Sequence, residues 1–287
     1  MAGGVTACDV LVVGAGPGGG NAALQCVRQG LHTMLIEDHS EIGTPVHCGE
    51  CISDLACESL DLDLPDHVIS KRVHGIRVIF PDGTEKRLTE EGYVLEKHLF
   101  ERWIADEAVS AGASVHLSHK LSSMERVENG RFAGWMCDGK GEQFPIQAKI
   151  VIDASGVAAV CSKTVKLEQG VPLNTMGKVV AGMQYEMLKV PTDGYLDFYI
   201  WPKYAEKGYL WMIPKCDGRA NVGLVTEDRP RAKKALDEFI EITHFKELEQ
   251  VPPPWKGKGN PAFGGTIPIS GPFENTHHDG LMLVGDA

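Results

Sequence analysis

Asp9-Val-Leu-Val-Val13-Gly14-Ala15-Gly16-Pro17-Gly18-Gly19 is the stretch whose reading decides the fold. Residues 9–13 form the continuous apolar run of a strand buried on both faces, as in a parallel sheet. The glycines follow at once, and residues 21–29, rich in small side chains, continue as a helix closed by Gly30. Gly14 is expected to make the tight turn, Gly16 to let backbone approach a pyrophosphate, and Gly19 to let helix and strand pack closely. Phosphates then meet the positive end of the helix. A second strand, residues 33–36, ends in Glu37, near the spacing of an acid that accepts a ribose 2′-hydroxyl. A bare G-x-G-x-x-G is a weak signal, but the order strand, glycines, helix, strand, acid is a strong one for a dinucleotide site.

At the other end, residues 281–284 read as a short strand presenting Gly285-Asp286. This resembles the first half of a second nucleotide-binding motif and makes FAD the expected dinucleotide. The sequence stops inside that motif, so the chain is expected to be C-terminally truncated, without the helix that would complete the site.

With 287 residues, 43% of them apolar, the chain can bury one large domain or two modest ones. A formal charge of −11 argues against nucleic acid and against electrostatic docking on an anionic membrane. No stretch approaches the roughly 20 apolar residues of a membrane span, and the first strand begins too early for a signal peptide. Cytoplasm is the expected compartment. The eight cysteines are then expected to be reduced. Only Cys48, Cys51 and Cys57 cluster, and a lone C-x-x-C lacks the second pair that a structural zinc or iron–sulfur site needs, so no metal is expected.

Between these ends, residues 96–111 carry Leu99, Phe100, Trp103, Ile104, Ala108 and Val109 on one helical face, with Gly112 as the stop. Strand-like runs follow at 114–117, 121–127 and 131–137, with Asn129-Gly130 as a hairpin signal. Another buried run, 149–153, delivers Ala154-Ser155-Gly156. Residues 65–95 and 165–275 hold β-branched and aromatic runs (75–80, 179–187, 195–201, 209–213, 220–225) broken by Gly, Pro and Asp, the pattern of a mostly antiparallel sheet. The expected architecture is an α/β fold. A Rossmann-like FAD-binding domain (1–64, 96–164 and an incomplete 278–287) carries an inserted, mostly antiparallel β-sheet substrate domain (65–95 and 165–277).

Several blocks in order resemble one family. They are Asp9–Gly19, Glu37, Gly43-Thr-Pro-Val-His-Cys48-Gly-Glu-Cys51-Ile-Ser53, Gly92-Tyr-Val-Leu-Glu-Lys97-His-Leu-Phe100-Glu-Arg-Trp103, Gly208-Tyr209-Leu-Trp211-Met-Ile-Pro214-Lys215 and Val284-Gly-Asp-Ala287. Together they look like the geranylgeranyl reductases, FAD enzymes of the p-hydroxybenzoate hydroxylase-like fold, and the Cys-Gly and Tyr-x-Trp blocks are the specific parts. The resemblance implies reduction of isolated double bonds in isoprenoid chains, with Pro-Val-His-Cys-Gly-Glu closest to the archaeal ether-lipid branch. Lys97 stands where the family usually has arginine, which keeps the charge but not the planar fork. Cys51 fills a position that is usually small, and Ile213 replaces an aromatic.

The resemblance also distributes roles. Cys48 is the expected catalytic thiol, by proton delivery or flavin positioning, against the plainer reading that it only packs under the flavin. Gly49 and Cys51 are expected against the flavin or its ribityl chain, and Lys97 against the cofactor. Asp286 is expected to accept a ribityl hydroxyl, Gly156 to allow close cofactor approach, and Leu121, in a loop entering the hairpin, to touch adenine through its backbone. Tyr209, Trp211 and Pro214 are expected to bind the prenyl substrate, with ordinary sheet core as the other reading of the two aromatics. The electron donor is expected to be a ferredoxin, a deazaflavin or NADPH, the first two favoured because no second G-x-G-x-x-G occurs. A lipid substrate implies peripheral contact with the inner face of the cell membrane. The alternatives are a flavin disulfide oxidoreductase using Cys48 and Cys51, an FAD-dependent aromatic hydroxylase, and an inactive truncated flavoprotein fragment.

Overall fold

The computed structural model describes residues 5–127, 130–161, 165–166, 177–256, 260–271 and 275–287. Chain contacts divide it into two compact units, one of residues 1–44, 101–177 and 270–287, the other of residues 45–100 and 178–269.

The first unit is built on a nine-stranded mixed sheet. Its first strand, Thr6–Val13, runs parallel to Thr33–Ile36 on one side and to the long strand Gln143–Asp153 on the other. Ser114–His116 extends the parallel part beyond Thr33–Ile36. On the opposite flank, the first half of Gln143–Asp153 pairs antiparallel with Phe132–Asp138, and its last three residues pair parallel with Leu281–Leu283. Val13 is therefore in register with Ile36 and with Asp153, and Asp153 with Leu283. Four strands end together, and the segments leaving them begin at Gly14, Glu37, Ala154 and Val284. Ligands in open α/β sheets bind outside such carboxyl ends. Val10, Val12, Leu35 and Ile152 pack on one face of the sheet with Ala23 and Leu24 of the helix Pro17–Arg28, and with Ala108 and Ala113.

Two local expectations are corrected in this unit. Leu121 lies inside the strand His119–Arg126, not in a loop before it, and its side chain is buried in the sheet core. The strand-like run expected at 121–127 is this strand, which begins two residues earlier and so takes Leu121 into its interior. In the helix Lys97–Ser110, Val109 in the last turn is exposed, whereas Ala105, one turn earlier on nearly the same side, is buried. Phe132–Asp138 pairs antiparallel with His119–Arg126, as a hairpin requires, although Asn129 itself lies outside the described residues.

The second unit carries an eight-stranded sheet. Val179–Met187, Ala220–Thr226, Tyr209–Pro214 and Tyr195–Tyr199 follow one another antiparallel. Gly75–Ile79 joins Tyr195–Tyr199 parallel, and Glu85–Leu88 closes that edge. On the other edge, Phe263–Pro268 and Gln250–Val251 share Val179–Met187. The helix Ala232–Ile242, which the sequence reading leaves out, covers one face through Ala235, Leu236, Phe239 and Ile240. The other face presents Val180, Leu196, Trp211, Ile213 and Val225, packed with Val73 and Val94. Those two valines belong to a small sheet of Ile69–Val73, Gly92–Leu95 and Cys51–Ser53. The Cys-x-x-Cys segment, expected among residues 1–64 of the nucleotide half, is thus tied by Cys51–Ser53 into the second unit.

Candidate active site

In the first unit the glycine turn has the shape a dinucleotide needs. Gly14 has φ +98°, and a Cβ there would lie 2.6 Å from the Ala154 carbonyl oxygen. A Cβ on Gly19 would lie 1.8 Å from the Gly14 carbonyl oxygen, so only glycine lets helix and turn approach so closely. A Cβ on Gly16 would meet nothing within 4 Å, so the glycine there leaves open room rather than relieving a clash. The helix starts at Pro17, whose missing N–H is no loss at that position, and Gly16 offers no side-chain cap. The first-turn amides are therefore not capped by the chain's own Gly16 side, as a pyrophosphate site needs.

Glu37 is buried, and its Oε2 accepts the Ala15 amide at 2.7 Å, while its Oε1 accepts the His39 amide at 3.1 Å. Burial raises this carboxyl, but the Ala15 and His39 hydrogen bonds outweigh it and hold it below the usual range. The acid at the end of the second strand thus braces the glycine turn and stays ionised, with lone pairs left for a ribose hydroxyl. Asp153 does similar work one strand over. It is fully buried and accepts the Ser155 amide at 3.1 Å and the Cys161 amide at 2.7 Å, shaping the turn that carries Gly156 at φ +61°. Asp286 is exposed just past Gly285, which has φ +74°. The cradle, the ionised acid and the bare helix start fit the ADP portion of FAD, which Gly14, Gly16, Gly19 and Glu37 could hold.

In the second unit the Cys48 loop is fastened from several sides. Gln184 Nε2 donates to the Cys48 carbonyl at 2.8 Å, and Trp211 Nε1 donates to Gln184 Oε1 at 3.0 Å. The Trp211 indole is 7% exposed and lies in the core, the second of its two readings, whereas Tyr209 is 40% exposed. The Tyr209 ring meets Phe198 edge-on at 5.3 Å. Burial pushes its phenol up, and so do the charges of Cys51 and Cys48. A Cβ on Gly49 would lie 3.0 Å from Ile213 Cδ1, so the residue replacing the expected aromatic packs beneath the loop. His47 Nδ1 is 2.7 Å from the Gly264 carbonyl, on which it donates, and Gly265 leaves room for the ring. Cys48 itself is exposed, and its sulfur accepts the Glu50 amide at 3.2 Å. Pro214 is buried at the end of its strand, and the backbone amide of Lys97 donates to Glu50 Oε1 at 3.0 Å.

Sequence reasoning missed the charges beneath this loop. Glu50 Oε2 accepts from Lys215 Nζ at 2.8 Å and from Asn221 Nδ2 at 2.6 Å. Lys215 also reaches Glu96 Oε2 at 3.1 Å, and Arg219 bridges Glu96 at 2.6 Å and Glu186 at 3.3 Å. Burial alone would lower Lys215, yet Glu50 and Glu96 raise it, so it stays charged. Burial likewise raises Glu96, but Lys215, Ser70 and Arg219 bring it below the usual value. Glu186 goes the other way, because burial outweighs its contact with Arg219. The available signal was a charge at positions flanked by apolar strand residues, as in Ile213-Pro214-Lys215 and Gly49-Glu50-Cys51.

These two arrangements define a class, the FAD-dependent oxidoreductases, and the chain matches the family described as FAD dependent oxidoreductase over residues 9–205. Residues 179–251 match the geranylgeranyl reductase catalytic domain. The digeranylgeranylglycerophospholipid reductase of Methanosarcina acetivorans is 33% identical across 97% of this chain and 68% of its own length. A similarly named protein of Thermoplasma acidophilum is 35% identical across 97% of the chain and 71% of its own length. The solved structure of a geranylgeranyl bacteriochlorophyll reductase-like protein from Thermoplasma acidophilum has a TM-score of 0.84 at 32% identity, covering 99% of this chain and 72% of that one. The chain belongs to the geranylgeranyl reductase family.

Proposed function

We propose that the protein is an FAD-dependent reductase that saturates isolated double bonds of geranylgeranyl chains in archaeal ether-lipid precursors. The observation that carries this reading is the tie from Trp211 through Gln184 to the Cys48 main chain. It joins the two blocks that set the family apart, and Gln184 and Trp211 lie within the matched catalytic domain. In this reading the first unit holds FAD and the second serves as the substrate domain.

An isolated alkene has no carbonyl to accept charge, so its reduction needs a hydride at one carbon and a proton at the other. Bound FAD, once reduced, supplies the hydride. Cys48 Sγ is the proposed proton donor, presented on an exposed loop whose main chain Gln184 and Glu50 hold. Cys48, Gly49 and Cys51 are the residues proposed to meet the flavin, with Lys97, Gly156 and Asp286 as further cofactor contacts. Tyr209 is the proposed apolar contact for the prenyl chain. Trp211 and Pro214 act from beneath it, as the packed strand that holds the ring in place. A dry, apolar surround protects any cationic character at the tertiary carbon from water.

The presence of one glycine-rich nucleotide motif supports an external electron donor, a ferredoxin or a deazaflavin, with NADPH as the alternative. A lipid substrate supports peripheral contact with the inner face of the membrane. Among the described residues, no helix is long and apolar enough to cross it.

The test is to purify the chain, record its flavin absorbance, reduce it with dithionite and supply a geranylgeranyl lipid. Bound flavin and a product heavier by added hydrogens are expected. A flavin-loaded, reduced protein that leaves the lipid unchanged would overturn the assignment.

A further inference from the structure

The buried charges of the second unit converge on one residue of the Cys48 loop. Glu50 has φ +73°, a left-handed conformation that disfavours any side chain and that glycine would adopt freely. The position nevertheless carries a glutamate that is only 3% exposed. Its carboxylate takes Lys215 Nζ at 2.8 Å, Asn221 Nδ2 at 2.6 Å and the Lys97 amide at 3.0 Å. Its carbonyl accepts the Leu95 amide at 2.8 Å. With the side chain and the carbonyl both held, the one remaining polar group, the amide, donates to Cys48 Sγ at 3.2 Å. Strained backbone persists only where its surroundings over-determine it, and it clusters at functional sites.

We infer that Glu50 is the positioning residue of the Cys48 loop: Lys215 and Asn221 grip its carboxylate and thereby fix the backbone amide that points at the Cys48 sulfur. The inference rests on the reading of Cys48 as the site thiol and deepens it. The Glu50 side chain itself touches no reacting atom and acts through the backbone amide it fixes. An amide held on the sulfur fixes the direction in which Cys48 presents it, so its loss is read directly in thiol chemistry. Lys215, shared with Glu96 at 3.1 Å, keeps the buried carboxylate compensated while it does this.

The experiment alkylates the FAD-loaded chain with iodoacetamide at fixed pH. Peptide mass spectrometry then gives the rate at Cys48 relative to Cys26 in the first unit. The same ratio is read on the flavin-free chain, where Cys48 is exposed and loosening the loop opens no new access, so the lost amide dominates. Glu50→Ala should lower the Cys48 to Cys26 ratio about fivefold, the worth of one ordinary hydrogen bond. Glu50→Gln, which keeps the shape and the Asn221 contact, should recover most of it. Asn221→Leu removes one grip and a buried oxygen that has no partner among the described residues, and it should lower the ratio about twofold, a fraction of that bond. If Glu50→Ala does not accumulate, Asn221→Leu decides. An unchanged ratio in Asn221→Leu, with native circular dichroism and bound flavin, would overturn the inference. The readout needs no turnover, so a parent protein that alkylates as expected but reduces no prenyl chain would sink the reductase reading alone.

Discussion

Replacing Lys215 with methionine is the sharpest probe of the charge network. Lys215 is 2% exposed and bridges Glu50 at 2.8 Å and Glu96 at 3.1 Å. Methionine fills similar volume, so the effect is electrostatic rather than a cavity. Glu50 then keeps only the neutral donors of Asn221 and Lys97, while Glu96 keeps Arg219 and Ser70. Breaking one partner out of a buried pair costs about 3–5 kcal/mol, because a charge is left uncompensated. For a unit of this size that corresponds to a drop in Tm of roughly 6–20 °C. Thermal unfolding followed by circular dichroism at pH 7 measures it. The double variant Glu50→Gln/Lys215→Met removes the stranded charge and should recover more than about 1 kcal/mol of the loss, as coupled neighbours do. A Tm within about 2 °C of the parent for Lys215→Met, or strict additivity in the cycle, would refute the reasoning, since such a shift is below about 1 kcal/mol.

Two further outcomes follow from the first unit and from the acid side of the network. Gly16→Ala should fold as the parent does, because its Cβ meets nothing within 4 Å, but should weaken FAD retention by entering the space kept for the pyrophosphate. Gly19→Ala, whose Cβ would lie 1.8 Å from the Gly14 carbonyl, should lose both. Flavin absorbance after gel filtration separates the two, and equal retention in Gly16→Ala and the parent would contradict the cradle. Glu96 is held below its usual pKa, so the stability it contributes is present above about pH 4.3 and is lost as pH falls through the folded value. The stability gap between the parent and Glu96→Gln, measured by urea unfolding, should therefore shrink below that pH. A gap that stays constant down to acid unfolding would count against an ionised Glu96.

A site on a shared fold is set by its own residues, so what this chain does rests on its side chains, among them the Cys48 loop, Trp211 and the charges beneath them.

The sequence by itself determined the first unit's nucleotide cradle. Val13, Gly14, Gly16, Gly19 and Glu37 lie within one local strand–turn–helix–strand segment, and local steric and hydrogen-bonding demands dictate each residue type. The antiparallel runs of the second unit were legible for the same reason, since alternation and turn residues act over a few positions. The helix Ala232–Ile242 was not, although its apolar stripe is plain once Leu236, Phe239 and Ile240 are seen against the sheet. Only the tertiary structure decided that Glu50 meets Lys215 and Asn221 across 165 and 171 residues of chain. It alone decided that Gln184 joins Trp211 to Cys48. A charge or amide in a single sequence reads as a solvated surface group. Its burial becomes tolerable, and its role visible, only when the fold brings the partner that compensates it.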